Sequence, residues 1–404
     1  MPHMASVAVG LWVGVGGRYE PEHLSGAAHF IEHLLFKGTR RRSPRQISEA
    51  VEGVGGYLNA FTTEEHTCFH ARAQARHFDA LLDVLVDMFL HSRLAPADIA
   101  KERDVIKEEI AMYRDEPNQL VQDLLHETLW PDHPLGRPLT GTPQSLDQIH
   151  RRDLLAFLET HYVGPNTFIV AAGPLGHAAV VRAVRKLSGR FRPGSRPAFV
   201  PTTIRQTRPM VNLKTKAVEQ TQLAFGLRAC SCHDERRHAL RVLNAVLGEN
   251  MSSRLFQILR EDKGLAYSIY SSWAFLEETG AVTISAGLDH DDLEKSLRII
   301  LRELRRLRES PVGAAELRRT RDYLIGQMEL NLEGTENQMN WVAESLLSYG
   351  KIISPAAARE RLARVTAAEV RGAARDFFSP DRFNLAVVSP LEKTGGLEKI
   401  MHGK

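Results

Sequence analysis

The sequence has little cysteine, and the few thiols that it has are not spaced for a known site. Only Cys68, Cys230 and Cys232 occur in 404 residues, and none of them belongs to a CxxC pair. An odd number of cysteines without a disulfide pattern excludes a disulfide-stapled scaffold and indicates a reducing compartment. The segment Cys230-Ser-Cys-His233 is the one candidate for a soft-metal site, but it lacks the second pair of ligands that a structural zinc needs.

Long apolar runs and an excess of one charge are also missing. No stretch approaches the roughly 18 apolar residues of a membrane span, and the start MPHMASVAVG has no basic region followed by an apolar one. The 52 basic and 49 acidic residues give a net charge of +3, which implies neither a nucleic-acid nor a membrane partner. We therefore expect a cytoplasmic protein with a mixed surface.

The remaining composition is that of a packed globular protein. Hydrophobic residues make up 43% of the chain and charged residues 25%, which excludes a fibrous or largely disordered class. Four hundred residues exceed one ordinary core, so two domains of about 200 residues each are predicted. A segment rich in Pro, Gly, Ser and Arg predicts a linker at 191–208, between a domain at 1–190 and another at 209–404.

The two predicted domains share an order of elements. Strands are predicted at 7–15, 57–61, 67–72 and 167–172, and helices at 29–36, 44–53, 75–91, 96–112 and 118–129. Residues 97–106 align without a gap on 315–324, with Ala, Arg and Asp identical, and each segment follows a strand and a long amphipathic helix. The alternative is a chance likeness of amphipathic helices. The repeat predicts an α+β chain of two similar domains related by duplication.

The strongest chemical signal is His29-Phe-Ile-Glu-His33. On a helix the two histidines project from one face, one turn apart, and Glu32 lies beside them without being needed as a ligand. This H-x-x-E-H pattern is a known zinc-peptidase signature. The alternative is a pair of surface histidines, which the apolar residues around them disfavour.

A third ligand is sought on a later helix, because catalytic zinc takes three protein ligands and an open position. Glu102 and Glu109 are seven residues apart and share a helix face, so one can bind metal while the other supports a histidine. A solvated acidic face is the alternative. The matching positions of the second half are Thr320 and Gln327, so the acids belong to one half only.

These segments resemble the pitrilysin/insulinase family, and most of all its two-domain members akin to mitochondrial processing peptidase. The resemblance rests on residues 26–39, on 102–109, and on further stretches at 55–62, 133–138 and 252–268. It implies two similar domains, each an antiparallel-rich sheet backed by helices. It also implies one Zn²⁺ per chain held by His29, His33 and Glu109, with Glu102 as the supporting carboxylate.

The resemblance implies substrate-binding residues as well. Asn59, Ala60 and Phe61 would bind an extended peptide along a strand edge, although an ordinary hairpin is the plain alternative. Arg260 and Tyr267 would stabilise the oxyanion of the scissile bond. Taken alone, they would be a helix-end arginine and a core tyrosine. The family usually has a strand before the one at 7–15, so either the start is misassigned or this sheet edge is shortened.

The function expected from these residues is zinc-dependent hydrolysis of peptides, with Glu32 as general base. The expected partners are a peptide or unfolded polypeptide substrate and a second copy of the chain, whose Arg260 and Tyr267 complete the active site of a homodimer. Two alternatives stay open: a non-catalytic subunit, and a heterodimer with a paralogue in a processing-peptidase-like complex.

Overall fold

The structure is a computed structural model that describes residues 1–187, 190–203 and 205–403. The chain forms two compact units. The first comprises Met1–Met112, Arg137–Val200 and Asn331–Ile352, and the second Tyr113–Gly136, Pro201–Leu330 and Ile353–Lys404. None of the described helices is long and apolar enough to cross a membrane.

Each unit contains one sheet and several helices. The strands are, in chain order, β1 (Ser6–Val13), β2 (Tyr57–Thr62), β3 (Thr67–Gln74), β4 (Thr167–Ala172), β5 (Met210–Thr215), β6 (Thr221–Ala229), β7 (Ala266–Phe275), β8 (Gly280–Leu288) and β9 (Phe383–Ser389). The α-helices are α1 (Ala27–Leu35), α2 (Pro44–Glu52), α3 (Phe78–His91), α4 (Pro96–Asp115), α5 (Pro117–Leu129), α6 (Pro143–Gln148), α7 (Arg151–His161), α8 (His177–Arg185), α9 (Arg237–Asn244), α10 (Leu293–Glu309), α11 (Ala314–Asn331), α12 (Thr335–Tyr349), α13 (Pro355–Arg364), α14 (Ala367–Phe377) and α15 (Gly395–Met401).

The first sheet has the order β2-β3-β1-β4, with every neighbouring pair antiparallel. Its central strand β1 is apolar on both faces because both are covered. Val7, Val9 and Leu11 belong to the larger core, with α1, α3 and α7, whereas Ala8 and Trp12 pack against α12 on the other face. Two-sided burial explains why β1 is a continuous apolar run rather than an alternating one.

The second sheet repeats this arrangement with one strand more. Its order is β5-β9-β6-β8-β7, so β6, β7, β8 and β9 occupy the places of β1, β2, β3 and β4. The additional strand β5 pairs parallel to β9. In the described part of the chain no strand takes the matching place beside β4. The residues of β4 are mostly half-buried, whereas those of β9 are buried. The predicted class of two similar α+β domains is confirmed.

The units differ from the predicted continuous domains at 1–190 and 209–404, because one helix of each half of the sequence packs on the sheet formed by the other half. Helix α12 covers the first sheet and α5 covers the second. Each of these helices packs against a glycine of the central strand that it covers. A Cβ on Gly10 would lie 2.9 Å from Met339 Sδ, and one on Gly226 would lie 2.9 Å from Leu125 Cδ1. An amphipathic pattern shows that a helix has an apolar face but not which sheet that face covers.

Candidate metal centre

Helix α1 carries the H-x-x-E-H residues, and its beginning is fixed by a buried carboxylate. The two Glu20 oxygens accept hydrogen bonds from the backbone N–H groups of Gly26 and Ala28, each at 2.7 Å. These groups have no partner within the helix. Burial raises the pKa of Glu20 to about 8, and the two backbone hydrogen bonds act in the opposite direction. Phe30, Ile31 and Leu34 on the apolar side of α1 are buried in the core of the first unit. The polar edge of α1 is thereby held in one position.

His29, His33 and Glu109 come together in the first unit. Glu109 Oε2 lies 3.8 Å from His29 Nε2 and 3.6 Å from His33 Nε2. The three side chains each offer a ligand atom, and these atoms lie within 4.8 Å of one another. Their side chains are 13%, 23% and 21% exposed, so the cluster is reachable from solvent.

The donor set fits a tetrahedral zinc ion. Bonds of ~2.0–2.1 Å in tetrahedral geometry place donors about 3.4 Å apart, close to the separations between Glu109 and the two histidines. Burial, and secondarily the neighbouring His33, lowers the pKa of His29 to about 4. Imidazole binds metal only in its neutral form, and burial favours this form of His29.

Glu102 contacts His33 from the same helix as Glu109. Its Oε2 lies 3.3 Å from His33 Nδ1, on the far side of the ring from the Nε2 atom that faces Glu109. With the proton on Nδ1, His33 donates to Glu102 and keeps Nε2 as an acceptor. Lys37 Nζ lies 2.9 Å from the other Glu102 oxygen. Glu102 is almost completely buried, and this cation balances its charge.

Glu32 lies on α1 beside the cluster and is held by the end of β2. The Thr62 hydroxyl donates a hydrogen bond of 2.6 Å to Glu32 Oε2. Burial raises the pKa of Glu32, while the Thr62 hydrogen bond and the nearby His33 act in the opposite direction. A carboxyl group whose pKa lies above its ordinary value is better matched to proton transfer near neutral pH.

Asn59, Ala60 and Phe61 lie on β2, the edge strand that ends at Thr62. Asn59 is exposed, and its amide donates to the Tyr57 hydroxyl at 2.6 Å. Phe61 packs edge-on against Trp12, with ring centroids 5.4 Å apart. The strand edge therefore leads directly to the hydroxyl that holds Glu32.

Arg260 and Tyr267 lie together in the second unit. The Arg260 guanidinium carbon is 5.9 Å from the centre of the Tyr267 ring and 5.1 Å from that of Phe256. Tyr267 is the second residue of β7 and is 76% exposed. The alternative of a core tyrosine was therefore wrong, and both side chains are open to a bound molecule.

The second unit lacks an equivalent of the His/His/Glu cluster in its described residues. Helix α9 follows β6 as α1 follows β1, but its inward side consists of apolar residues such as Ala239, Val242 and Leu243. On α11 the positions of Glu102 and Glu109 are occupied by Thr320 and Gln327. The difference between the halves thus extends from sequence to packing.

Two residues of the site were not singled out from sequence. Thr62 and Lys37 both lie in segments that carry the family resemblance, at 55–62 and 26–39, but the sequence assigns neither of them a role. Lys37 is four residues beyond His33, which places it about one helical turn away, and that spacing was the available signal. The contact of Thr62 with Glu32 joins residues 30 positions apart, and no local pattern shows it.

Comparison with known proteins gives a consistent result. Residues 1–143 match the family described as Insulinase (Peptidase family M16), and residues 148–324 match the one described as Peptidase M16 inactive domain. An uncharacterized zinc protease of Bacillus subtilis is 35% identical over 389 residues, which are 96% of this chain and 94% of the relative. An uncharacterized zinc protease of Mycobacterium tuberculosis is 37% identical over 393 residues, covering 96% and 90% of the two chains.

Solved structures show the same fold. A protease from Helicobacter pylori superposes with a TM-score of 0.91 at 21% identity, covering 96% of this chain and 94% of that one. A chain of Complex III2 from Candida albicans gives a TM-score of 0.83 at 17% identity, with coverage of 99% and 95%. With two family matches that together span most of residues 1–324 and relatives 35% and 37% identical along nearly its whole length, the chain belongs to the insulinase family of M16 peptidases.

Proposed function

We propose that the protein is a zinc-dependent endopeptidase with one zinc ion per chain, held by His29, His33 and Glu109. The observation that carries this proposal is the convergence of two Nε2 atoms on one Glu109 oxygen, beside a carboxyl group that is not itself a ligand. The names of the relatives, which are called zinc proteases, support it.

Each residue has a separate task in this reaction. A bound zinc ion supplies Lewis acidity, which polarises the scissile carbonyl and makes water more acidic. Glu32 takes the proton of the attacking water and later gives it to the leaving amine. Thr62 holds Glu32 in place through the 2.6 Å hydrogen bond, and Glu102 orients His33. These contacts fix the base and one ligand before substrate binds.

An extended substrate would bind along β2. Its backbone would pair with the strand edge at Asn59, Ala60 and Phe61, which gives affinity that depends little on substrate sequence. The scissile bond would then lie near Thr62 and Glu32. Because strand addition requires an extended chain, peptides and unfolded polypeptides are the proposed substrates, rather than folded proteins.

Arg260 and Tyr267 are the proposed donors to the oxyanion. A cation and a phenol are suitable groups for the charge that develops on the carbonyl oxygen during attack. We propose that they act on a neighbouring chain in a symmetric homodimer, so that each metal cluster is completed by the Arg260 and Tyr267 of the second copy. A C2 pair would contain two equivalent sites.

The test joins metal analysis with cleavage of a quenched fluorescent peptide. Glu32→Gln should keep zinc and lose most hydrolysis, because it removes the base but no ligand. Glu109→Gln should lose zinc, because a neutral amide is a poor substitute for a carboxylate ligand. The matched control is Glu108→Gln, an exposed neighbour outside the cluster, which should behave as wild type.

Other outcomes would redirect the proposal. Stoichiometric zinc without any cleavage by the wild-type chain would favour the non-catalytic subunit or the heterodimer partner. Loss of zinc in Glu32→Gln would show that its role is misassigned, and loss of zinc in Glu108→Gln alone would show the same for Glu109.

A further inference from the structure

A second group of metal-ligating side chains lies in the second unit. Among the described residues, Cys232, His233 and Glu277 offer a thiol, an imidazole and a carboxylate whose ligand atoms lie within 4.8 Å of one another. His233 Nε2 is 3.1 Å from Glu277 Oε1. This grouping uses none of the residues of the proposed peptidase site.

The backbone around these residues is tied together by hydrogen bonds. Cys232 and His233 lie in the loop between β6 and α9, and Glu277 lies in the turn between β7 and β8. The Cys232 N–H donates to the Leu276 carbonyl at 2.8 Å, and the Ser231 hydroxyl donates to the Glu277 carbonyl at 2.6 Å. The loop and the turn are therefore already held at the distance at which their side chains can share one ion.

From this arrangement we propose that Cys232, His233 and Glu277 form a second divalent-cation site, selective for zinc-like ions. Thiolate, imidazole and carboxylate are all zinc ligands, whereas a thiolate disfavours Mg²⁺ and Ca²⁺. A thiolate and a carboxylate together balance the charge of the ion. Three protein ligands leave the fourth position to water.

The three side chains of this site differ in their exposure to solvent. Cys232 is 2% exposed, while the side chains of His233 and Glu277 are 50% and 35% exposed. The ion would enter from solvent between the imidazole and the carboxylate and meet the thiolate at the bottom. Once bound, it would cross-link the β6–α9 loop to the β7–β8 turn at the end of the second sheet.

Cys230 provides a matched control. It is buried like Cys232 and only two residues away, but its side chain belongs to the hydrophobic core of the second unit and to none of the candidate metal groups. Replacing either cysteine by serine removes one buried thiol from the same loop, and only the Cys232 substitution should affect metal binding.

The test uses Co²⁺ as a spectroscopic probe on the metal-free full chain, in a phosphine reductant that does not compete as a thiol. Cobalt bound to a thiolate gives a charge-transfer absorption that a His/His/Glu site cannot give. Wild type should show this absorption and bind two equivalents of Co²⁺. Cys232→Ser should lose the absorption and one equivalent, whereas Cys230→Ser should keep both.

The two sites can be tested separately. The double variant His29→Ala/His33→Ala should keep the thiolate absorption and one equivalent of Co²⁺, whatever becomes of the peptidase proposal. In this background Zn²⁺ should raise the thermal unfolding midpoint, because an ion that binds only the folded state stabilises it. Adding His233→Ala, a half-exposed position that is expected to fold, should remove this rise.

The proposal is overturned if wild type shows no thiolate absorption, or if the absorption persists in Cys232→Ser. It is equally overturned if Zn²⁺ raises the midpoint of the His29→Ala/His33→Ala variant by the same amount with and without His233→Ala.

Discussion

At the scale of single residues, Thr62 and Glu32 show how a side chain outside the motif can set the chemistry of one inside it. The buried environment raises the pKa of Glu32, and the hydroxyl of Thr62 counteracts this by donating to the ionised carboxylate. The base is useful only when ionised, so the balance between these two influences decides the lowest pH at which the site works.

Thr62→Val should move the acid limb of the pH profile of kcat/KM to higher pH. Loss of a donor to the carboxylate raises the pKa of Glu32 further, and a larger fraction of the base is then protonated at a given pH. Zinc content should not change, because the side-chain hydrogen bonds described for Thr62 join it to Glu32 and Thr67 and not to a proposed ligand. Thr62→Ser restores the hydroxyl and should restore the profile. An acid limb unmoved in Thr62→Val would contradict this account.

The sequence identified all three proposed ligands of the peptidase zinc ion, but it did not identify every side chain that contacts them. His29 and His33 lie side by side because helical spacing fixes which side chains of α1 share a face. Spacing left Glu102 and Glu109 as alternatives on the later helix, and the choice of Glu109 came from the family resemblance. Their chemical roles stay predictions. Glu277 could not be identified from sequence as a partner of Cys232. The two residues are 45 positions apart and are brought together by contacts between a loop and a turn, which no periodic pattern encodes.

At the scale of elements, the strands and helices predicted between residues 7 and 172 are all present, with ends displaced by a few residues. The strand at 167–172 matches β4, and the helix predicted at 29–36 is α1 at Ala27–Leu35. The helix predicted at 75–91 begins at Phe78, because residues 75–77 form a 3₁₀ turn. Propensity and apolar period define an element, whereas its first residue depends on caps and tertiary contacts.

The position of α1 depends on Glu20, and Glu20→Ala should loosen it. The substitution leaves the N–H groups of Gly26 and Ala28 without their buried acceptor, which costs roughly 1–3 kcal/mol in the free energy of unfolding of the metal-free protein. Urea denaturation measures this. Zinc affinity should fall as well, because both histidine ligands lie on α1.

Glu22→Ala is the control, since Glu22 is exposed and two residues away. Equal stability of the Glu20→Ala and Glu22→Ala proteins would show that the carboxylate of Glu20 does not hold the helix.

At the scale of the whole molecule, buried histidines tie stability to pH. Burial lowers the pKa of His66, His161 and His238 to about 4 from an ordinary 6.5. The unfolded chain therefore takes up protons at a higher pH than the folded one. The contribution of these histidines to the free energy of unfolding is fully present above about pH 6.5. It is lost progressively as the pH falls toward about 4.

His66→Gln should make this loss shallower, by at most about 1.4 kcal/mol per pH unit in the free energy of unfolding. Denaturant titrations of the metal-free protein at several pH values measure the slope. His177→Gln, at an exposed position on α8, should leave the slope unchanged. An unaltered slope in His66→Gln would mean that His66 does not contribute to it.

If the active site is shared between the chains of a homodimer, two inactive variants should complement each other in mixed dimers. Glu32→Gln and Tyr267→Phe proteins, each nearly inactive, should recover about a quarter of wild-type activity when unfolded and refolded as an equal mixture. Half of the dimers are then mixed, and each has one intact site of two. A mixture of Glu32→Gln and Glu109→Gln should show no recovery, since both defects affect the metal cluster. No recovery in the first mixture, despite confirmed mixed dimers, would rule out shared sites.

Because α5 packs on the second sheet and α12 on the first, the two folded units do not coincide with the N-terminal and C-terminal halves of the chain. A protease cut in the 191–208 segment would divide the polypeptide at its apparent boundary, yet the fragments would stay associated. Residues 113–136 of one fragment and 331–352 of the other are each embedded in a unit built mostly by their counterpart. Either fragment made alone would expose the sheet face that its missing helix covers. The two would have to be produced together, as complementing pieces, to recover a native protein.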